Sequence, residues 1–294
     1  MKQIGIMTDS HSSISQAEAK ELGIWVLPMP FYIDEECFYE DINLSREDFF
    51  AKLEQGATIT TSQPSPTDVC ELWDKMLLEY EKILYMPLSS GLSGSYATAV
   101  AMAKEEGYEG RVFVVDHGQI ATPLYQMILD TIDLIEKGYS AEKIQEILES
   151  SRERMMIYIG VQTLEYLKRG GRVTPAAAAL GTVLNIKPVL KLETGKLDSY
   201  KKCRGFAKAK AAMIEAMKKE IDTRFSDARR DGNLHLLAAS SASERETEDW
   251  VKEIEDAFPD LQVFCSPLSL GVSCHTGMGA LGIGCAVVPD YKIG

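Results

Sequence analysis

The sequence predicts an α/β protein of two domains, an N-terminal domain built on a parallel sheet and a C-terminal α+β domain. Three observations carry that expectation. The chain has 294 residues, more than one hydrophobic core usually serves. Its first half alternates apolar strand-like runs with helix-like runs, the pattern of parallel strands joined by crossover helices. Near Met156 this alternation gives way to a glycine and basic segment, an alanine-rich stretch and a hairpin. The expected domains are therefore 1–155 and 156–294.

In the first domain the expected strands are QIGIMTD, GIWVLPMPFYI, KILYMPL and RVFVVD. Helices stand between them. One opens at Ser45 with Asp48 three residues on, a capping-box-like start, and stops at Gly56. Another begins with the cap Ser65 and a first-turn proline, Pro66. Two more, PLYQMILDTIDLIEKG and SAEKIQEILESSRERM, are separated at Gly138. In the second domain the strand MIYIGVQ leads through LKRGGRV to an expected alanine-rich helix, TPAAAALGTVLN. IKPVLKL and KLDSYKKC then form a hairpin turning at ETGK. FAKAKAAMIEAMKKEI is a helix, LHLLAA a strand, SERETEDWVKEIEDAF a helix and LQVFCSPL a strand, and the tail SCHTGMGALGIGCAVVP ends as an apolar strand.

The formal net charge of -13 argues against a general nucleic-acid binder, since phosphate contact needs a basic field. Six scattered cysteines with no C-x-x-C pair read as reduced thiols, with neither a zinc site nor a redox motif. The start MKQIGIMTDS is too short in apolar residues for a signal peptide, and no run approaches the roughly 20 residues of a membrane span. A cytoplasmic protein is expected.

Several segments carry chemistry. SSGLSGSY, Ser89 to Tyr96, packs four serines and two glycines between a strand and a helix. Backbone N–H groups and the positive end of a helix meet there, which suits a carboxylate or phosphate, and Ser93 adds a hydroxyl. Helix capping accounts for one such serine, not four. TITTSQPSP adds Thr58, Thr60, Thr61, Ser62 and Ser65 with two stiffening prolines, and by itself reads as a rigid connector with a helix cap. SCHTGMGALG places His275 and Thr276 in what reads as a small-residue loop. Its GMGALG matches G-x-G-x-x-G only formally, because 12 residues after Gly282 leave no room for a dinucleotide-binding unit. GLSGS approaches the nucleophile elbow, and Ser93, Asp116 and His275 follow hydrolase order, so a serine hydrolase or esterase is the alternative reading, although Ser95 replaces the last glycine. Asp9 with His11 and Asp116 with His117 follow strands and are ordinary metal-ligand types, but their spacing does not indicate a site. LKRGGR (Lys168, Arg169, Arg172) and YKKCR (Lys201, Lys202, Arg204) are basic islands in an acidic chain.

Taken together, TDS, TTSQPSP, SSGLSGSY, LKRGGRV, LNIKPVLKLETGKL and HTGMGALG resemble, in order and approximate spacing, the DegV family of bacterial fatty acid-binding proteins, which includes the FakB-type subunits of fatty acid kinase. The resemblance spans essentially the whole chain and implies a two-domain DegV-like fold with a long-chain fatty acid in a buried tunnel between the domains. It implies further that Thr61, Ser93 and His275 hold the carboxylate, with Ser62, Gly94 and Thr276 shaping the pocket around them. No catalytic residue, metal or cofactor is implied for this chain beyond the bound fatty acid. The partner implied is a separate ATP-using fatty acid kinase that makes an acyl phosphate, serving lipid transport and phospholipid metabolism. Arg169, Arg172, Lys202 and Arg204 are the candidates for docking that kinase or, transiently, a membrane surface. The chain itself has no P-loop. It departs from the family pattern at HSSIS after TDS, at His117 and at Met278.

Overall fold

Near-continuous apolar runs build the first sheet in the computed structural model, which describes residues 2–179, 186–193 and 195–292. The chain divides into two units, Met1–Ile120 with Leu124–Arg152, and Ala121–Pro123 with Glu153–Gly294. The sequence-based boundary, between 155 and 156, lies slightly further on.

The first unit contains, in order, β1 (Lys2–Asp9), a 3-10 turn (Ser10–Ser12), α1 (Gln16–Leu22), β2 (Trp25–Leu27), β3 (Phe31–Ile33), β4 (Glu36–Phe38), α2 (Arg46–Glu54), β5 (Ile59–Thr61), α3 (Pro66–Met76), β6 (Tyr80–Met86), α4 (Ser95–Met102), β7 (Val112–Val114), α5 (Ala121–Glu136) and α6 (Ala141–Ser150). Four strands form a parallel sheet in the order β2-β1-β6-β7. Successive side chains point to opposite faces of such a sheet, so both faces need cover. Ile6, Val26, Leu84 and Met86 face a core with Ala19, Leu124, Ile128, Ile144 and Leu148. Met7, Leu27, Ile83 and Tyr85 face the other core, with Val69, Trp73, Met76 and Met102. The caps expected from sequence form: Ser45 accepts from the Asp48 N–H and Ser65 from the Asp68 N–H.

The expected strand GIWVLPMPFYI is two strands. Pro28 and Pro30 lack the N–H a ladder needs, and the chain leaves the parallel sheet after Leu27, just before the first of them. β3 then joins a separate antiparallel sheet in the order β4-β3-β5. Its third strand, β5, comes from the segment TITTSQPSP, which the sequence presents as a connector.

The second unit contains β8 (Met155–Gly160), α7 (Glu165–Gly170), α8 (Pro175–Ala178), β9 (Ile186–Glu193), β10 (Lys196–Arg204), α9 (Phe206–Thr223), α10 (Ser226–Arg230), β11 (Leu234–Ser240), α11 (Glu244–Ala257), β12 (Val263–Pro267), α12 (Leu270–Thr276) and β13 (Leu281–Val287). Its six-stranded sheet has the order β10-β9-β8-β13-β11-β12, antiparallel except for β11 and β12. Of the expected alanine-rich helix, residues 174–179 are described, with Thr174 capping α8 by accepting from the Ala177 N–H; residues 180–185 lie outside the described residues, as does Thr194 of the hairpin turn. Ala209, Ala212, Met213, Ala216 and Met217 of α9 pack with Trp250 and Ile254 of α11 in one core with Tyr158, Leu236 and Ile283 of the sheet. The small residues of α9 let it approach closely, and a Cβ on Gly160 would stand 3.2 Å from the Met213 methyl.

Residues 121–123 are joined to this second unit by a threonine. Thr122 is fully buried; its Oγ1 donates to the Ala238 carbonyl at 2.8 Å and lies 2.6 Å from Ser266 Oγ, which donates in turn. The preceding Ala121 is buried with φ +53°, a left-handed conformation that L-residues with a Cβ rarely adopt.

Candidate functional site

In the parallel sheet, β1 lies between β2, which follows it, and β6, which the chain reaches later. The strand order thus reverses between the parallel neighbours β1 and β6, and ligands of open α/β sheets bind outside the carboxyl ends of strands at such a point. Asp9 ends β1, the serine segment follows β6, and Asp116 to Gln119 follow β7.

Asp9 organises this edge. It is fully buried, and its Oδ2 accepts from the Leu88 N–H at 2.7 Å, while Oδ1 accepts from the His11 N–H at 2.9 Å and lies 3.2 Å from His11 Nδ1. Leu88 immediately precedes the serines, so the carboxylate fixes where their loop begins. The four serines then separate by role. Ser89 is buried, donates its N–H to the Gln119 carbonyl and accepts on its own carbonyl from Leu92 and Ser93. Ser90 Oγ donates to Asp116 Oδ1 at 2.7 Å and accepts from Arg152 at 3.2 Å. Ser95 is buried at the start of α4. Ser93 is half-buried; its Oγ accepts from the Ser95 N–H at 3.2 Å and shares a 2.8 Å hydroxyl bond with Ser95. Gly94, exposed, caps α4 without a side chain, leaving that helix end to Ser93.

The second hydroxyl loop meets the first. Thr61, half-buried, pairs with Phe31 at the end of β5, and Ser62, exposed, donates to the Gln63 carbonyl. Gln63 then reaches the serine segment: its Oε1 accepts from Thr98 Oγ1 at 3.4 Å, and a Cβ on Gly94 would stand 3.2 Å from that oxygen. Thr61 and Ser93 thus belong to two loops joined by Gln63. Sequence reasoning passed over Gln63; its only signal was its place between two hydroxyl residues and a proline.

His275 belongs to the second unit and lies in a helix, not a loop. α12 is capped by Ser269, which accepts from the Val272 N–H, and it ends at Gly277 with φ +74°. His275 is half-buried in its last turn, and the buried Thr276 donates back to the Val272 carbonyl at 3.4 Å. Ser241, also unremarked in the sequence, stitches the following residues to the end of β11: its Oγ donates to the Gly277 carbonyl at 2.7 Å and accepts from the Ala280 N–H at 3.0 Å.

Of the basic candidates, Arg169, Lys202 and Arg204 are exposed. Arg169 lies over the Tyr166 ring at 6.0 Å. Arg172 is half-buried and donates one of its N–H groups to the Gly170 carbonyl, which holds its side chain against α7. For the hydrolase alternative, both carboxylate oxygens of Asp116 are engaged on the first unit, by Ser90 and by the Arg152 guanidinium. Among the described residues, no group of three or more His, Cys, Asp or Glu side chains is arranged to hold a metal. No helix among them is long and apolar enough to cross a membrane.

His117 is buried beside this edge, its Nδ1 accepting from the Gln119 N–H at 2.9 Å. Burial pushes its pKa down from 6.5 to about 4, against the opposing pull of the Pro87 carbonyl, Asp9 and Asp116. The folded protein binds fewer protons than the unfolded chain between those values, so stability is complete above about pH 6.5 and falls as pH drops toward 4. The loss is on the order of 3 kcal/mol. His117→Asn, whose amide oxygen replaces Nδ1 as acceptor, is expected to show a shallower fall in urea midpoint between pH 7 and 4.5; an equal fall in both proteins would remove His117 as its cause.

Comparison with known proteins covers nearly the whole chain. Residues 3–287 match the family described as "Uncharacterised protein, DegV family COG1307". A DegV domain-containing protein of Lactococcus lactis is 32% identical over 285 residues, covering 95% of this chain and 96% of its own. One from Caldanaerobacter subterraneus is 29% identical over 288 residues, covering 96% and 98%. Among solved structures, a DegV family protein from Thermus thermophilus, described by its fatty acid binding, superposes with TM-score 0.85 at 30% identity, covering 97% of this chain and 99% of its own. DegV from Bacillus subtilis, described as a fatty acid binding protein, gives 0.82 at 25% identity, covering 98% and 100%.

Proposed function

Because this chain belongs to the DegV family, we propose that it binds a long-chain fatty acid and presents it to a separate kinase, without catalysing a reaction itself. The observation that carries this reading is the full-length likeness to the Thermus thermophilus protein described by its fatty acid binding. In this reading the carboxylate is held by Thr61, Ser93 and His275, with Ser62, Gly94 and Thr276 around it. The local geometry supports the first two, since Gln63 ties their loops together and Ser93 Oγ accepts from the first N–H of α4, whose cap Gly94 has no side chain to do so.

A carboxylate leaving water must be hydrogen-bonded, because each unmade bond costs several kcal/mol. Two hydroxyls, an imidazole and a helix N-terminus supply that set. The acyl chain adds roughly 0.8 kcal/mol per buried methylene, so long chains bind far better than short ones. None of this requires a nucleophile. With no P-loop in the chain, phosphorylation to an acyl phosphate belongs to the partner kinase. Exposed Arg169, Lys202 and Arg204 are the docking candidates, for that kinase or for transient contact with an anionic membrane; Arg172 is the weaker one because Gly170 holds it.

Native mass spectrometry of the purified protein, followed by solvent extraction, tests the reading directly. A mass excess resolving into long-chain fatty acids supports it; a protein that is empty and refuses added fatty acid overturns it. Ser93→Ala is expected to leave the fold intact and weaken binding of a fluorescent fatty acid by roughly 1.5 to 3 kcal/mol, about ten- to a hundredfold. Unchanged affinity would remove Ser93 from the head-group set.

A further inference from the structure

The segment LKRGGRV carries two adjacent glycines, and the structure separates their purposes. Gly171 ends α7 with φ +69°, the left-handed cap position that favours glycine, and a Cβ there would meet nothing within 4 Å. Gly170 is the reverse case. Its backbone is outside the positive-φ region, so any residue could adopt its conformation. A Cβ at Gly170 would nevertheless stand 2.6 Å from His275 Cε1 and closer still to Nδ1. A Cβ essentially never stands so close to another side chain, and the obstacle is the rigid imidazole rather than the end of a flexible chain.

The same two helices interlock a second time. Gly277, at the end of α12, lies against the Tyr166 ring of α7, which a Cβ there would approach to 2.7 Å. Gly170 receives the His275 ring from α12, and Gly277 receives the Tyr166 ring from α7. The Gly170 backbone is held in turn, because Arg172 donates to its carbonyl.

We propose that Gly170 is a positioning residue for His275: the bare backbone of α7 forms the shelf on which the imidazole rests, and so sets where the ring points. This inference rests on the reading of His275 as a head-group ligand. Its content is that the KRGG segment of α7 acts on the ligand through His275 and not by touching it. The second glycine belongs to the helix cap and the first to the imidazole.

The test is a double-mutant cycle between Gly170→Ala and His275→Ala, read by titration with cis-parinaric acid and by melting temperature. Removing the ring makes room for the added methyl, so the two substitutions must not add. Gly170→Ala alone is expected to weaken cis-parinaric acid binding at least tenfold and to lower the melting temperature. In the His275→Ala background the same substitution is expected to change affinity less than twofold and to cost little melting temperature. Losses that multiply across the two sites, or a Gly170→Ala protein that binds as tightly as the parent, overturn the proposal. If Gly170→Ala fails to fold, the double variant decides, and a double variant that folds no better also overturns it. His275→Ala binding unchanged defeats the head-group reading and the positioning role together, whereas a normal loss in His275→Ala without coupling defeats the positioning role alone.

Discussion

Asp9→Ala is expected to destabilise the first unit by roughly 3 to 5 kcal/mol, since it removes a buried charged acceptor from at least two backbone N–H groups. The Leu88 and His11 amides both donate to this carboxylate, at 2.7 and 2.9 Å, from a position with no exposed surface. Alanine supplies neither acceptor nor volume. Asp9→Asn keeps one oxygen and should fall between parent and alanine variant, so the order of urea midpoints is itself a result to check. The effect reaches further than stability. Leu88 is the residue before the serine segment, so hydrogen exchange at Ser89 to Ser93 should speed up in Asp9→Ala. A variant as stable as the parent, with those amides equally protected, would show that Asp9 does not anchor the loop.

The second large effect belongs to Trp250. Its side chain is fully buried in the core between α11 and the six-stranded sheet, and its Nε1 donates to the Gly282 carbonyl at 2.9 Å. Trp250→Ala is expected to cost roughly 3 to 5 kcal/mol through lost burial and the cavity left behind. Trp250→Phe keeps most of the apolar area but not the donor, and should cost clearly less. Circular dichroism melts of the two variants check that order; a phenylalanine variant as damaged as the alanine variant would make the hydrogen bond, and not the packing, the larger contribution.

Much of this molecule was legible in its sequence wherever the signal is local. Ser45 and Ser65 announce helices because a cap and its N–H partner lie three residues apart, and KILYMPL announces a strand because its burial is continuous along it. Pairing is not local. Nothing in GIWVLPMPFYI says that Trp25–Leu27 lies beside β1 while Phe31–Ile33 joins a different sheet, although the two prolines mark the break. Three-residue strands are too short for a period to show, which is why Ile59–Thr61 reads as a connector. The same limit applies to the site. The hydroxyl-rich loops stand out by composition, whereas Gln63 and Ser241 act through partners 35 and 36 residues away. His275 reads as a loop residue because glycines follow it; the short helix that carries it is held by a cap at Ser269 and by packing on α7.

Three residues from mid-chain complete the second unit. In synthesis order, Ala121–Pro123 leave the ribosome before any other part of that unit, then wait for Ala238 and Ser266 to be made before the Thr122 hydroxyl finds its partners. A gene cut at the natural-looking boundary near residue 153 would therefore encode a second half lacking one of its own internal ties. The piece that restores it is found upstream, in the first turn of a helix whose remaining residues belong to the other half.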